Sequence, residues 1–332
     1  MRGVRVPAKE AEGVKKELMS RGILDTKKKA HRDGGYVIFP VKSEGAGFET
    51  VDAEFRDVKK LKNFRDALSG LLTPEELLHA RRAFDVIGDI AIIEIPKELE
   101  EKEGPISKVL LSAHKNVRSV YKKTGRIMGD ERTREFKFLC GEEKTETIYR
   151  EHGMTLKLDI RKVYFSPRLS KERERILELT RDGEVVVDLF CGIGPFSILL
   201  AKHRRVKAYA IDSNPHAFRY LKENIRINKV ADRVAPLLGD CQKVAPRKIA
   251  SRVIMNLPKS SSEFLDLAFE VIEEGIIHYY AVSPEEDLYG PTIDLIERTA
   301  ERHETEVEIL GKKKVRPYSP YTYHVAIDVG VK

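Results

Sequence analysis

The chain has 332 residues, 41% of them hydrophobic and 34% charged, and its length predicts two or three domains. No apolar run approaches the roughly 20 residues of a membrane helix, and the first residues, MRGVRVPAKEAEG, lack the apolar core of a secretory signal. We therefore expect a cytoplasmic protein without a membrane partner. The net charge of +7 favours a polyanionic partner such as nucleic acid, although a basic surface on a charge-rich protein gives the same balance.

The first module, residues 1–58, is predicted to be a small α/β domain. The run RGVRVP is typical of a strand, residues 8–20 carry apolar side chains at helical spacing, and a turn at Gly34-Gly35 precedes the half-buried strand YVIFPV. One arm of this hairpin is basic, which indicates either an RNA contact or an edge strand protected by charge. Its basic residues are Lys27, Lys28, Lys29, His31 and Arg32.

The second module, residues 59–163, is predicted to be an α+β domain. The run DIAIIEIP is typical of a strand, and residues 105–125 are predicted to form a helix that opens at Pro105 and closes at Gly125. Two strand-like runs follow, REFKFLCGE and TETIYREHGMTLKLDI. No C-x-x-C pair occurs in the chain, so the sequence indicates neither a zinc ribbon nor a disulfide framework. We expect the three cysteines to be buried or backbone-placed thiols rather than catalytic ones.

From residue 164 to residue 332, strand-like runs alternate with helices. The strands are EVVVDLF, VKAYAID, RVAPLLGD, SRVIMNLP and IIHYYAVSP, with EVEILGKKK and YTYHVAIDVGV as a final pair. The helices between them include HAFRYLKENIRINK, EFLDLAFEVIEEG and TIDLIERTAERH. This order predicts a doubly wound, mostly parallel α/β sheet with an antiparallel hairpin at one edge.

Three successive strands of this sheet end in residues suited to a nucleotide. In VVVDLFCGIGPFS, Gly192 and Gly194 allow a tight turn into a helix, whose free N–H groups face the same place. Ser197 replaces the third glycine of a nicotinamide fingerprint, which argues against an oxidoreductase. Asp212 and Asp240 end the next two strands, where carboxylates accept from ribose hydroxyls and an adenine amine. Each carboxylate alone could instead cap a helix.

These motifs, together with NLPK at residues 256–259, resemble those of class I S-adenosylmethionine-dependent methyltransferases. The segment KVYFSPRLSKER before the first strand resembles the tRNA guanine-N1 methyltransferases that act at position 37, and their wyosine-pathway relatives. The resemblance implies a Rossmann-like methyltransferase domain preceded by two small α+β domains. It also implies a cofactor pocket formed by Tyr164, Ser166, Arg168, Arg173, Phe190, Gly192, Gly194, Asp212 for the ribose, Asp240 and Cys241 for the adenine, and the backbone near Asn256.

The resemblance also implies the chemistry at the target base. In NLPK, Lys259 stands where amino-methyltransferases carry an aromatic residue, which argues against an exocyclic amine as the target. Guanine N1 must lose a proton while charge develops at O6, so a base and a cation are needed. The family places these roles on Glu172 and on Arg132, with Arg134 as an alternative, while Asn256 and Pro258 hold the base. Glu172 could instead only stabilise the first turn of a helix, and Arg132 could belong to a solvated face.

The implied partner is tRNA, bound at the anticodon loop and, through the first domain, at the elbow. The sequence does not set the oligomeric state, and we expect a monomer. Phosphate contacts are predicted for the helix of residues 108–123 and for the late basic run. These residues are Lys115, Arg118, Lys122 and Lys123, and Lys312, Lys313, Lys314 and Arg316. Two alternatives remain open: C7 methylation of a wyosine precursor and aminocarboxypropyl transfer. Asp212, the two glycines and NLPK are all present, which argues against a non-enzymatic RNA-binding module.

Overall fold

The computed structural model describes residues 1–26, 28–43, 47–56, 64–80, 83–125 and 135–332. It divides into two compact units, Met1–Asp66 and Ala67–Lys332. The predicted division of the second unit into a middle domain, 59–163, and a methyltransferase domain, 164–332, stays a prediction. Across the described residues, no helix combines the length and the apolar character that a membrane span requires.

In its described residues, the first unit contains a four-stranded antiparallel sheet that packs against the helix α1. Its elements are β1 (Arg2–Pro7), α1 (Ala11–Ser20), β2 (His31–Asp33), β3 (Tyr36–Pro40) and β4 (Thr50–Asp52), in the sheet order β2-β3-β1-β4. Val14 and Leu18 of the helix pack on Val4 and Val6 of the central strand. The helical spacing of the apolar residues thus buries one helix face against the sheet.

The second unit begins with a four-stranded sheet in the order β5-β6-β7-β8. The elements in this part are α2 (Phe64–Ser69), which spans the division, α3 (Pro74–His79), β5 (Phe84–Ile87), β6 (Ile90–Ile93), α4 (Glu103–Ala113), β7 (Ser119–Lys123) and β8 (Phe136–Gly141). The predicted helix of residues 105–125 is wrong in its second half, because the helix ends at Ala113. Val120 and Tyr121 are both buried, since β7 is an interior strand with both faces covered.

The second unit also contains a larger sheet of seven strands, in the order β13-β12-β11-β14-β15-β17-β16. This order confirms the predicted doubly wound fold. Strand β17 pairs antiparallel with both β15 and β16, and the other strand pairs are parallel. The elements are β9 (Glu146–Glu151) and β10 (Met154–Asp159), a hairpin before the sheet, then α5 (Ser170–Leu179), β11 (Val185–Asp188), α6 (Pro195–His203), β12 (Lys207–Asp212), α7 (Pro215–Ile227), β13 (Val234–Leu238), α8 (Cys241–Val244), β14 (Ala250–Met255), α9 (Leu265–Val271), β15 (Ile272–Pro284), α10 (Gly290–Arg302), β16 (Val307–Ser319) and β17 (Thr322–Val331).

The helix predicted for EFLDLAFEVIEEG is shorter than expected, because α9 ends at Val271 and β15 begins at the next residue. Gly275 lies inside this strand at φ +138°, and a Cβ there would lie 2.0 Å from the backbone oxygen of Ser251. The neighbouring strand therefore requires glycine at this position.

Hydrophobic cores cover both faces of the large sheet. One core combines side chains of the sheet and its helices with Ile90, Ile92 and Tyr121 of the smaller sheet. The other lies against α9 and α10 and includes Phe269 and Ile296. The two sheets therefore pack together through the first core.

Candidate active site

A cavity of about 620 Å³ lies beyond the carboxyl ends of the parallel strands β11, β12, β13 and β14. This is where ligands bind in doubly wound sheets. Of the residues predicted to hold the cofactor, the wall includes Tyr164, Ser166, Arg173, Phe190, Gly192, Asp212, Asp240, Cys241 and Asn256. The structure thus brings together residues from four strand ends and from the segment that precedes the sheet. Gly194 and Arg168 are not part of this wall.

The two glycines of the loop after β11 have different roles. Both have positive φ, +57° at Gly192 and +86° at Gly194. A Cβ on Gly194 would lie 2.5 Å from a methyl carbon of Leu221 and 2.9 Å from one of Ile198, so this glycine serves helix packing. A Cβ on Gly192 would have only the backbone oxygen of Tyr164 within 4 Å, at 3.8 Å. Gly192 therefore leaves the space next to the cavity open for a ligand.

The two strand-end carboxylates accept backbone hydrogen bonds and line the cavity. Asp212 accepts from the N–H groups of Gly192 at 2.7 Å and of Asn214 at 2.9 Å. Asp240 caps the short helix α8 through one oxygen, which accepts from Gln242 N–H at 3.0 Å. A carboxylate has about four acceptor sites, so capping and ligand binding are compatible. The site thus fits a ligand that carries a ribose diol and an amine.

Arg173 is almost fully buried and acts on the cavity through the backbone. It pairs with Glu151 through two nitrogens, one of them at 2.9 Å, and donates to the carbonyl oxygen of Ser166 at 3.3 Å. The Glu151 carboxylate neutralises its charge, so Arg173 holds the segment 164–169 in place. Arg168 pairs with Asp85 of the smaller sheet at 2.5 Å and lines a second, neighbouring cavity.

Burial raises the pKa of one carboxyl group and two thiols at or next to the cofactor cavity. Burial raises the pKa of Asp188 to about 7, although Ser197 donates a hydrogen bond to this carboxyl at 2.8 Å. Burial likewise raises the pKa of the Cys191 thiol, and that of Cys241 to about 11. Neither thiol is a thiolate near neutral pH, so neither acts as a nucleophile, and both line the cavity as neutral groups.

The second cavity, of about 280 Å³, shares part of its wall with the first. The shared residues are Tyr164, Phe165, Ser166, Leu169 and Asn256. Pro258 contributes to the second cavity alone, together with Asp85, Glu94 and Lys123 of the smaller sheet and Arg316, Tyr318 and His324 of the edge hairpin. Two ligands in these cavities would therefore meet across Asn256.

Glu172 lies behind the second cavity rather than in its wall, to judge from the described residues that line it. It is 2% exposed and accepts from the Arg175 guanidinium at 2.6 Å and from the Tyr280 hydroxyl at 2.8 Å. The Tyr280 ring contacts His324, which does line the cavity. Arg132 and Arg134 lie outside the described residues, so the geometry of the predicted pair stays a prediction.

The structure changes the prediction for the phosphate-binding lysines. Lys122 and Lys123 belong to strand β7 and form ion pairs, with Glu100 and Glu103 and with Asp85 and Glu94 respectively. They are therefore not a helical RNA-binding face. Lys115 and Arg118 remain exposed.

The late basic run is divided between the two faces of β16. The Lys313 ammonium lies 3.6 Å from Glu172, whereas Lys314 lies over the ring of Tyr323. The neighbouring Arg316 lines the second cavity, and its Nε is buried without a hydrogen-bond partner among the described residues. The sequence predicts a phosphate contact for Arg316 but gives no sign that its side chain reaches this cavity.

The strand order and the cavity beyond the glycine loop define a class I S-adenosylmethionine-dependent methyltransferase. Comparison with family descriptions agrees: residues 147–309 match the TRM5/TYW2 methyltransferase domain, residues 64–145 the TYW2 N-terminal domain, and residues 3–49 the tRNA methyltransferase 5 N-terminal domain. The chain is 46% identical, over 99% of its length and 98% of the relative's, to the tRNA (guanine(37)-N(1))-methyltransferase Trm5b of Pyrococcus abyssi. The chain belongs to the TRM5/TYW2 methyltransferase family.

Solved structures support the same fold and cofactor. The crystal structure of Trm5b from Pyrococcus abyssi has a TM-score of 0.78 at 45% identity and covers 100% of this chain and 99% of its own. The complex of aTrm5 with tRNALeu has a TM-score of 0.77 at 34% identity, with 100% of both chains covered. TYW2 of M. jannaschii in complex with AdoMet has a TM-score of 0.60 at 31% identity, with 75% of this chain and 99% of its own covered. The predicted family, fold and cofactor are thus confirmed.

Proposed function

We propose that this enzyme methylates N1 of guanosine 37 in tRNA. The observation that carries the proposal is the shared wall of the two cavities, because Asn256 faces both a cofactor-sized space and a smaller one next to it. The names of the close relatives support the substrate, since Trm5b of Pyrococcus abyssi is named for this reaction and aTrm5 was solved with tRNALeu.

S-adenosylmethionine, when bound, supplies an activated methyl group for in-line transfer. Tyr164, Gly192, Asp212 and Asp240 would hold it in the larger cavity. The polar acceptors at the strand ends and the open space beside Gly192 fit an adenosine group. The second cavity would receive the guanine after it leaves the stack, which costs a few kcal/mol.

The chain's own side chains would then hold the base and manage its proton. Asn256 and Pro258 would hold the edge of the guanine, and Arg132 would donate to O6 as negative charge develops there. Glu172 would accept the N1 proton. The buried Nε of Arg316 in the cavity wall offers a donor to a phosphate or carbonyl oxygen of the RNA.

The tRNA would contact the protein at two places. The anticodon loop would enter at the second cavity, and the first unit would contact the tRNA elbow, with the protein acting as a monomer in the cytoplasm. Lys115, Arg118, Lys312 and Lys314 would contribute phosphate contacts, because their side chains are exposed.

The first experiment is a methylation assay with labelled S-adenosylmethionine on two transcripts, a tRNA with guanosine 37 and the same tRNA with adenosine 37. Nucleoside mass spectrometry should detect 1-methylguanosine from the first transcript alone. No product from either transcript, despite cofactor binding, would contradict the proposal. Product only from a tRNA that already carries a wyosine precursor would instead identify C7 methylation or aminocarboxypropyl transfer.

Two variants test the proposed base. Glu172→Gln should lower the single-turnover rate by roughly 10²- to 10⁴-fold, the usual contribution of a general base. His324→Gln is the matched variant, because His324 lies in the cavity wall and can also bind a proton. Loss of activity in His324→Gln with full activity in Glu172→Gln would move the assignment of the base to the histidine.

A further inference from the structure

A chain of buried ionisable side chains leads to Glu172 across one face of the large sheet. His278 of β15 is the cross-strand neighbour of Asp328 of β17 on one side and of Ile254 of β14 on the other. Arg252 lies two residues before Ile254, and side chains two apart in a strand share a face. Arg252, His278 and Asp328 therefore line one face of the sheet, and the contacts of Asp328 connect this face to α5.

The first member of this array of ionisable side chains is Glu184, which lies just before β11. Arg252 donates to the two oxygens of this carboxylate, at 2.5 and 2.9 Å, and a third nitrogen of the guanidinium contacts Nε2 of His278. A guanidinium only donates, so Nε2 must accept, and the proton of the neutral ring lies on Nδ1. Nδ1 then donates to Asp328 at 2.6 Å. This contact fixes the tautomer and the ring orientation of His278.

Arg175 connects Asp328 to Glu172. Its two terminal nitrogens donate to the two oxygens of Asp328, one of them at 3.2 Å. The same guanidinium donates to Glu172 through Nη2 at 2.6 Å and through Nε at 3.1 Å from each oxygen. A Cβ on Gly311 would lie 3.2 Å from Asp328, so the glycine leaves room for this carboxylate.

The charges of this array balance only when Glu172 is ionised. Three carboxylates, Glu184, Asp328 and Glu172, face three cations, Arg252, Arg175 and Lys313, while His278 is neutral. Hydrogen bonds from His278 and Arg175 lower the pKa of Asp328 to about 2 against the effect of burial, and burial lowers the pKa of His278. Buried ion pairs are costly, and hydrophobic replacements are often more stable, so their presence here calls for a role beyond stability.

We propose that Arg175 and Asp328 are positioning residues that hold the ionised Glu172 carboxylate and set the pH at which it takes the proton of the target base. The proposal rests on the proposed function, because it assigns to Glu172 the role of the base. The array acts by charge and by orientation. Removal of the Arg175 cation and removal of the Asp328 anion should therefore shift the pH dependence of the rate in opposite directions.

The test is the pH profile of the single-turnover methylation rate between pH 4.5 and 9. The charged and titratable groups that face Glu172 are Arg175 on its own helix, Tyr280 on β15, Lys313 on β16 and, through Arg175, Asp328 on β17. The acidic limb of the profile is the range in which the rate falls toward low pH. Asp328→Asn removes a negative charge, so this limb should shift to lower pH by about 1 unit. Arg175→Gln removes a positive charge, so the limb should move up by a similar amount.

Three further variants separate position from charge and from loss of fold. Arg175→Lys keeps the charge but loses the planar guanidinium that bonds Glu172 and Asp328 at once. The rate should therefore fall while the acidic limb stays near its wild-type pH. Lys313→Met removes a half-exposed cation and should move the limb up in a protein that still folds. Glu103→Gln is the control, because it removes a buried paired carboxylate at the start of α4 and should leave the profile unchanged.

The outcomes distinguish the two proposals. A wild-type enzyme that forms no 1-methylguanosine, or full activity in Glu172→Gln, would overturn the proposed function or its base. With wild type active and Glu172→Gln inactive, acidic limbs that move in the same direction in Asp328→Asn and Arg175→Gln would overturn the positioning role. So would limbs that coincide with that of wild type in Asp328→Asn, Arg175→Gln and Lys313→Met.

Discussion

The backbone N–H of Gly192 donates a hydrogen bond to the carboxylate of Asp212 at 2.7 Å. This bond connects the glycine loop after the first strand of the large sheet to the end of the second strand. The same carboxylate accepts from Asn214, whose side chain caps α7 and donates to the carbonyl oxygen of Lys162. One carboxylate thus joins the loop, the helix and the segment before the sheet, so the cofactor cavity is largely preformed.

The first prediction concerns this carboxylate. Asp212→Ala should weaken S-adenosylmethionine binding by roughly 10- to 100-fold, or about 1.4 to 2.7 kcal/mol, because it removes a ribose acceptor and loosens the loop. Isothermal titration calorimetry measures the affinity. Asp232→Ala, at an exposed site, is the control and should bind the cofactor like wild type. Equal affinity in both variants would show that Asp212 does not hold the cofactor.

The second prediction separates the two glycines of the loop. Gly194→Ala should lower the free energy of unfolding by roughly 2 to 4 kcal/mol, because the new methyl group adds overpacking against Leu221 to the strain of positive φ. Gly192→Ala should cost only the backbone strain, about 1 kcal/mol, but should weaken cofactor binding. Urea denaturation and calorimetry on both variants give the two quantities. A larger loss of stability in Gly192→Ala would contradict this division of roles.

The strand ends were predictable from the sequence because they follow a simple rule. Parallel strands place their carboxyl ends at one edge, so Asp212, Asp240 and Asn256 had to lie near the glycine loop. The helix of residues 105–125 was not predictable in the same way. Helical spacing continues past Ala113, and only pairing with β6 and β8 makes Val120 and Tyr121 a strand.

The surroundings of Glu172 show a second limit of sequence reasoning. Its partner Arg175 is three residues away and could have been suspected, but Tyr280, Lys313 and Asp328 are more than 100 positions distant. Their side chains meet because β15, β16 and β17 present alternate residues to one face of the sheet. Strand register is a long-range property, so local pattern cannot supply it.

The third prediction follows from the raised pKa of Asp188, about 7 against an ordinary 3.8. Between pH 4 and pH 7 the folded chain keeps a proton that the unfolded chain has lost, so this group makes the protein less stable as pH rises. Asparagine does not titrate. The free energy of unfolding of Asp188→Asn should therefore rise relative to that of wild type by on the order of 4 kcal/mol across this window. Above pH 7 the difference between the two proteins should stay constant.

Chemical denaturation at several pH values measures this difference. Other titrating groups, such as Asp328, affect both proteins alike and cancel in the comparison. Asp232→Asn, at an exposed position, serves as the control and should show a constant difference from wild type. If the curves of Asp188→Asn and wild type run parallel from pH 4 to pH 8, the buried carboxyl is already ionised in the folded protein.

The fourth prediction concerns Asn256, which lines both cavities. Asn256→Ala removes the carboxamide that would hold the target base, while the backbone that would face the cofactor remains. The single-turnover methylation rate should fall by roughly 10- to 100-fold, the range for the loss of a hydrogen bond worth 1 to 3 kcal/mol in the transition state. The affinity for S-adenosylmethionine should change by no more than a few-fold, because the loop, Asp212 and Asp240 are untouched.

The matched control for this variant is Asn116→Ala, which removes an exposed carboxamide at a different cavity of the same unit. It should retain the wild-type rate and cofactor affinity. Because Asn256 follows the last residue of β14, its substitution leaves strand pairing intact, and a thermal melt should show a shift of only a few degrees. A loss of cofactor affinity equal to the loss of rate would instead place Asn256 in the cofactor site alone, and the second cavity would no longer be supported as the site of the base.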